Sequence, residues 1–303
     1  MKLIIDCDPG LGSRGSDVDD GLALFILLNN RDQFNIEGIT TIFGNTNITK
    51  GFTLLKKYLE FKDCLSIPHY KGAANSNDLG KSNQAVEFLI EQVKRYPDQI
   101  TLLSLGPLTN IATAIKIYPD FIDDLKEFIF MGGVINPSSA FSPQFTFGDS
   151  IFITNEFNFN QDPIATKLFI ETKTQTPRVG FGLDICCQAI FKEEHLDMIK
   201  NVNKTPYTEF LIKYIEPWLN LWQHNLSNGF YPFDAFLPIY LLEPDLFSFK
   251  DFYLKVDTEE EPGKLIKHKT SLKNSKPITY SMNFSKSDGP SKFMEKLIAN
   301  LIK

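Results

Sequence analysis

Five carboxylates crowd the first twenty residues: Asp6 and Asp8 in Asp6-Cys7-Asp8-Pro9-Gly10, then Asp17, Asp19 and Asp20 in Asp17-Val18-Asp19-Asp20. They lie at the junction between the apolar run Leu3-Ile4-Ile5 and an apolar helix start at Gly21-Leu22-Ala23-Leu24. Carboxylates this close repel one another, and each favours hydration or a cation. A hard divalent cation, which takes oxygen ligands, resolves the repulsion. Other polar residues ill suited to a core follow predicted strands, notably Asn45 and Asp184. One such residue alone is ordinarily a cap or turn former, whereas several beside an acidic loop point to a shared site.

The elements that must position these groups follow from hydrophobic periodicity. Strands are predicted from Leu3 to Cys7, Ile36 to Phe43, Ile67 to Tyr70, Ile100 to Leu105, Glu127 to Met131 and Arg178 to Gly182. Helices are predicted between them, beginning with Asp20 to Asn30, where a carboxylate suits the free N–H groups of the first turn. Val86, Leu89, Ile90 and Val93 make a typical apolar stripe on the helix from Ala85 to Tyr96. This alternation implies an α/β fold with a mostly parallel central sheet, doubly wound by right-handed crossovers, whose site lies beyond the carboxyl ends of the strands. From Val134 to Phe152 the helical pattern lapses into an excursion of the kind that carries substrate loops.

The C-terminal third is more helical, with helices from Glu193 to Lys200, Thr208 to Asn225 and Asp234 to Leu242 and a closing helix from Ser291 to Ile302. Three runs, Phe249 to Val256, Lys264 to Lys267 and Ile278 to Phe284, read as peripheral strands. No repeat or linker divides the chain, so residues 1–303 are expected to form one domain.

Composition excludes several classes of function. The net charge of −6 over 303 residues gives no electrostatic reason to expect nucleic acid or an anionic membrane as partner. The four cysteines include no CxxC pair, which suits a reducing cytoplasmic setting. Neither a signal-peptide apolar region nor a run of about 18 apolar residues is found.

Six motifs in register resemble the inosine-uridine-preferring nucleoside hydrolases: Asp6-Cys7-Asp8-Pro9-Gly10 with Asp19-Asp20, Ile39 to Asn45, Leu105-Gly106-Pro107-Leu108-Thr109-Asn110, Met131-Gly132-Gly133, Glu156-Phe157-Asn158 with Asp162-Pro163, and Gly182-Leu183-Asp184. The resemblance spans nearly the whole chain and implies a Rossmann-like nucleoside hydrolase fold. It also implies Ca2+ bound by Asp8, Asp20, the backbone carbonyl of Leu105 and Asp234, all oxygen donors that suit calcium better than zinc. A water held by the cation loses its proton more readily, and the resemblance implies that Asp8 takes that proton as general base. Asp19, Asn45, Glu156 and Asn158 are implied to hold the ribose hydroxyls of a small-molecule ribonucleoside, and Asp6 to support them from behind. Relatives are homodimers or homotetramers, so a homo-oligomer is expected.

Three departures bear on the substrate. Leu11 to Val18 intervene before the paired aspartates, with Gly12, Ser13, Gly15 and Ser16 predicting a flexible bulge and Arg14 at its tip. Phe233 stands where pyrimidine-accepting relatives carry the histidine that protonates the leaving base. Phe donates no proton, and an aromatic there resembles the purine-specific branch, where stacking helps hold the base. Trp222, with Trp218 one turn earlier, is a candidate for the same pocket, and His224 for a substitute acid. Finally, the loop from Ala73 to Asn83 is short, and Asp149-Ser150 replaces an Asn that usually helps bind the 5′ hydroxyl. The expected activity is calcium-dependent release of base and ribose with a purine bias. The alternatives are a non-catalytic ribonucleoside sensor on the same fold and a haloacid dehalogenase-type phosphohydrolase, to which Pro9-Gly10 is poorly suited.

Overall fold

The computed structural model describes residues 1–136, 146–147, 150–151, 156–224, 227–268 and 275–303. Strand β1 (Lys2–Cys7) lies inside the sheet, with helix α1 (Asp19–Asn29) returning from it to β2 (Asn35–Thr41) and α2 (Ile48–Phe61) leading to the short β3 (His69–Lys71). Helix α3 (Gln84–Arg95) then crosses to β4 (Ile100–Ser104), and α4 (Thr109–Ile117) to β5 (Glu127–Met131). A two-stranded pair, β6 (Thr146–Phe147) and β7 (Ser150–Ile151), stands apart from the sheet. Helices α5 (Phe157–Gln161) and α6 (Pro163–Glu171) lead to β8 (Arg178–Phe181).

The remaining elements are α7 (Leu183–Cys186), α8 (Glu193–Lys200), α9 (Pro206–His224), α10 (Phe236–Leu242), β9 (Phe247–Val256), β10 (Leu265–His268), β11 (Ile278–Phe284) and α11 (Gly289–Leu301). Among the described residues the main sheet has nine strands in the order β10-β9-β11-β8-β5-β4-β1-β2-β3. The run from β3 through β11 is parallel, β9 is antiparallel to β11, and β10 is antiparallel to β9. The chain moves outward one way from β1 to β3, then resumes on the other side of β1 at β4. A crevice therefore opens between the carboxyl ends of β1 and β4, the place where such sheets bind ligands.

Alternation along β1 shows why the sheet is covered on both faces. Leu3, Ile5 and Cys7 join one buried cluster with α1, α2, α9 and α11, while Ile4 joins a second with α3, α4 and α6. Helix α1 is buried from Asp19 through Leu28, and after its two aspartates it is apolar on all sides, so it sits inside the first layer.

The structure corrects two expectations. The run Ile278–Phe284 is not peripheral: as β11 it pairs parallel with β8 and antiparallel with β9, and most of its residues are buried. Its apolar side chains fill the second core instead of capping an edge, with Ile278, Tyr280 and Met282 in one cluster. The insertion after Gly10 is a pair of hydrogen-bonded turns, Ser13 N–H to Gly10 O at 2.9 Å and Ser16 N–H to Ser13 O at 3.2 Å. Fully buried Leu11 anchors it, and the Tyr58 hydroxyl donates to the Leu11 carbonyl. Arg14 stands exposed at the tip. Among the described residues no helix is long and apolar enough to cross a membrane.

Candidate active site

The Asp8 carboxylate, at the carboxyl end of β1, is wedged between two glycines. A Cβ on Gly44, after β2, would fall 1.9 Å from Asp8 Oδ2, and one on Gly106, after β4, 2.6 Å from Asp8 Oδ1. Only backbone without side chains lets three strand ends converge so closely on a carboxylate. Asn45 ties the cluster together: its backbone N–H donates to Asp8 Oδ2 at 2.7 Å, and its side-chain amide to Asp20 Oδ2 at 2.8 Å. Asp20 Oδ1 in turn accepts the backbone N–H of Asp8 at 3.0 Å.

Asp234 is brought in from far along the chain by a single 3-10 turn, Phe233–Ala235, packed against α1. Carboxylate oxygens of Asp19, Asp20 and Asp234 lie within 4.8 Å of one another, and all three residues are buried. Asp8 Oδ1 and Asp234 Oδ1 are buried without any hydrogen-bond partner among the described residues.

Burial, then the neighbouring carboxylates, raises the pKa of these groups. Asp20 is pushed up to about 8 by burial and by Asp19. Asp8 and Asp234 are pushed well above the ordinary carboxylate range, first by burial and then by the other aspartates. Burial brings Asp19 to about 6, although the Asp20 N–H it accepts at 3.0 Å pulls the other way. A group of buried oxygen donors that cannot ionise together unaided, two with unmatched lone pairs, fits a hard divalent cation.

Asp6, also raised to about 6 by burial, lies under this layer. Its Oδ1 accepts from Thr40 Oγ1 at 2.6 Å and Asn110 Nδ2 at 2.9 Å. Asn110 also reaches Thr41 O and accepts from Ala73 N–H, so one amide joins the ends of β2, the loop after β3 and the start of α4. Asn110 belongs to a motif visible in the sequence, but that motif carries no sign of this bridging role.

Glu156 and Asn158 flank the start of α5. The Glu156 carboxylate caps the helix, accepting from Asn158 N–H at 2.7 Å and Phe159 N–H at 3.0 Å, and also from Gly133 N–H at 2.9 Å. Asn158 Nδ2 donates to the Leu105 carbonyl at 2.8 Å. Asp184 is placed differently from the expectation of a shared site. Its oxygens accept from Ile135 and Asn136 N–H at 2.6 and 2.9 Å, so it secures the chain leaving β5. Asp149 lies outside the described residues, and only the backbone of Ser150 is described, in β7.

A family model described as inosine-uridine preferring nucleoside hydrolase matches residues 3–288. The chain belongs to this family. A probable uridine nucleosidase 1 of Oryza sativa subsp. japonica is 28% identical over 293 residues, covering 85% of this chain and 82% of that protein. The inosine-uridine preferring nucleoside hydrolase of Crithidia fasciculata is 26% identical over 251 residues, covering 74% and 73%. A purine-preferring ribonucleoside hydrolase from Gardnerella vaginalis shares the fold with a TM-score of 0.80 at 22% identity, over 100% of this chain and 99% of that one. A plant nucleoside hydrolase does so with a TM-score of 0.81 at 20% identity, over 99% and 98%. As a nucleoside hydrolase, the protein is an enzyme acting on N-glycosyl compounds.

Within this nucleoside hydrolase, half-buried Phe233 sits beside the acidic cluster, its ring 5.9 Å from that of Tyr231. Trp222 is buried in the apolar core, edge-on to Tyr231 at 5.6 Å and to Trp218 at 6.2 Å. An aromatic series therefore backs the turn that carries Asp234. His224 is exposed at the end of α9, its Nδ1 2.6 Å from Asn220 O.

Proposed function

We propose that this nucleoside hydrolase cleaves the N-glycosidic bond of ribonucleosides with the help of calcium, releasing free base and ribose with a bias toward purines. The observation that carries this reading is the pair of buried carboxylate oxygens, Asp8 Oδ1 and Asp234 Oδ1, that no donor among the described residues meets. Leaving them bare costs far more than satisfying them with a cation. Asp8, Asp20, Asp234 and the Leu105 carbonyl would hold it, and an all-oxygen set without sulfur or imidazole favours calcium over zinc. When bound, the cation supplies Lewis acidity that makes a neighbouring water easier to deprotonate.

Asp8 accepts that proton as the water oxygen bonds to the anomeric carbon of the ribose. The C1′–N bond breaks, its electron pair leaves with the base, and the base takes up the balancing proton. Asp19, Asn45, Glu156 and Asn158 hold the ribose hydroxyls, because carboxylates and carboxamides match a vicinal diol. The buried carboxylates also stabilise the oxocarbenium-like charge that develops on the sugar.

Purine bias is supported by Phe233, which offers a stacking face and no proton. Three of the four histidines are engaged with backbone of their own segments: His69 Nδ1 with Ile67 O, His195 Nδ1 with Lys192 N–H and His224 Nδ1 with Asn220 O. Four unpaired cysteines support a reducing, cytoplasmic setting, and the assembly proposed is a homodimer or homotetramer.

The test compares wild type with Asp8→Ala, measuring calcium binding and turnover of inosine, guanosine, adenosine, cytidine and uridine side by side. Calcium-dependent turnover that is faster for purines and lost in the variant supports the reading. Tight nucleoside binding without ribose release would favour the sensor alternative, and a wild type with neither metal nor turnover would overturn both.

A further inference from the structure

We infer that Asn158 is a positioning residue for the cation site, acting through the Leu105 carbonyl, and so joins the metal to the ribose subsite; the inference rests on the metal-dependent reading above. Asn158 is buried in the first turn of α5, 53 residues along the chain from Leu105. Its Nδ2 donates to Leu105 O at 2.8 Å and lies 3.4 Å from Met131 O. Two carbonyls around one nitrogen settle which way the amide faces, because the flipped amide would set Oδ1 against both of them.

The neighbours make this contact rigid. Three backbone N–H groups, including that of Asn158 itself, bond the Glu156 carboxylate, so the turn carrying Asn158 is fastened to Gly133 at the end of β5. On the other side, Leu105 N–H donates to Asp6 O at 2.8 Å. The peptide that follows lies on Asp8, since a Cβ on Gly106 would come within 2.6 Å of Asp8 Oδ1.

A carbonyl oxygen has two lone pairs. The Asn158 amide occupies one, and on the metal-dependent reading the other would serve the cation. Groups that orient a metal ligand without touching the metal commonly change its affinity 10- to 100-fold. Among the described residues no donor reaches Asn158 Oδ1, so the same side chain can accept from a ribose hydroxyl while its nitrogen holds the carbonyl.

The test is calcium binding by the full chain, read by calorimetry and by the rise in Tm between chelator and saturating calcium, for wild type, Asn158→Leu and Asn158→Ser. Neither replacement can donate across to Leu105, and the small polar Ser provides a second chance of a folded protein. Both variants are expected to bind calcium about tenfold or more weakly and to show a smaller calcium-dependent rise in Tm. A purely structural role would lower Tm equally with and without calcium and leave the affinity unchanged; that result overturns the inference while the metal-dependent reading stands. A wild type that binds no calcium overturns the metal-dependent reading itself.

Discussion

Gly44 and Asp8 pack so tightly that a Cβ at position 44 would lie 1.9 Å from Asp8 Oδ2. That oxygen already accepts the Asn45 N–H at 2.7 Å, and the φ of Gly44 is 156°. Gly44→Ala must therefore displace the Asp8 carboxylate, the proposed general base, or the backbone that holds it. A displacement near 1 Å at a reacting group costs about a hundredfold, so kcat/KM and calcium affinity should both fall sharply while the circular dichroism spectrum is kept. Near-wild-type calcium affinity in this variant would contradict the placement of Asp8.

The raised carboxylates link stability to pH in an unusual direction. Asp19 and Asp20 have folded pKa values of about 6 and about 8, above the ordinary 3.8 of the unfolded chain. Between those limits the folded state holds protons that the unfolded state has released, so stability falls as pH rises. The Tm in chelator should drop from pH 5 to pH 8, and added calcium should raise it most at the alkaline end. A chelated Tm that climbs over this range would show that the carboxylates are not buried together as described.

Phe233→His places a proton donor in the half-buried position beside Asp234. General acid catalysis is typically worth 10²–10⁴-fold, so uridine turnover should rise by about tenfold or more even with imperfect geometry. Its pH profile should gain a descending limb near the histidine pKa of about 6.5. Loss of inosine turnover with no gain on uridine would argue that residue 233 does not face the leaving base.

The inserted turns separate anchoring from exposure. Leu11 is fully buried, and its carbonyl accepts from Tyr58. Leu11→Ala should lower stability by about 3 kcal/mol, typical of a buried leucine, as read by chemical denaturation. Arg14→Ala, at the exposed tip, should leave stability within about 0.5 kcal/mol of wild type. Equal effects of the two substitutions would mean that the loop is not seated on Leu11.

Much of this molecule is legible from local pattern. Strand-helix alternation and the position of the acidic segment after β1 depend on side chains a few residues apart, so periodicity reports them directly. The family motifs are visible for the same reason, because each is short and lies at the end of one strand or, for Glu156 to Pro163, at the start of a helix. The sequence therefore determined a doubly wound α/β enzyme with carboxylates gathered at the carboxyl ends of its strands.

The tertiary structure alone decided which groups meet. Asp234 joins Asp19 and Asp20 across more than two hundred residues, Asn158 reaches back to Leu105, and Asp184 accepts from the N–H groups of Ile135 and Asn136. β11, the last strand in the chain, lies inside the sheet because its apolar side chains complete the second core. These partnerships depend on where distant segments pack, and on glycines such as Gly44 and Gly106 whose value is the space they leave. A missing side chain has no periodicity, so only the folded chain shows what fills that space.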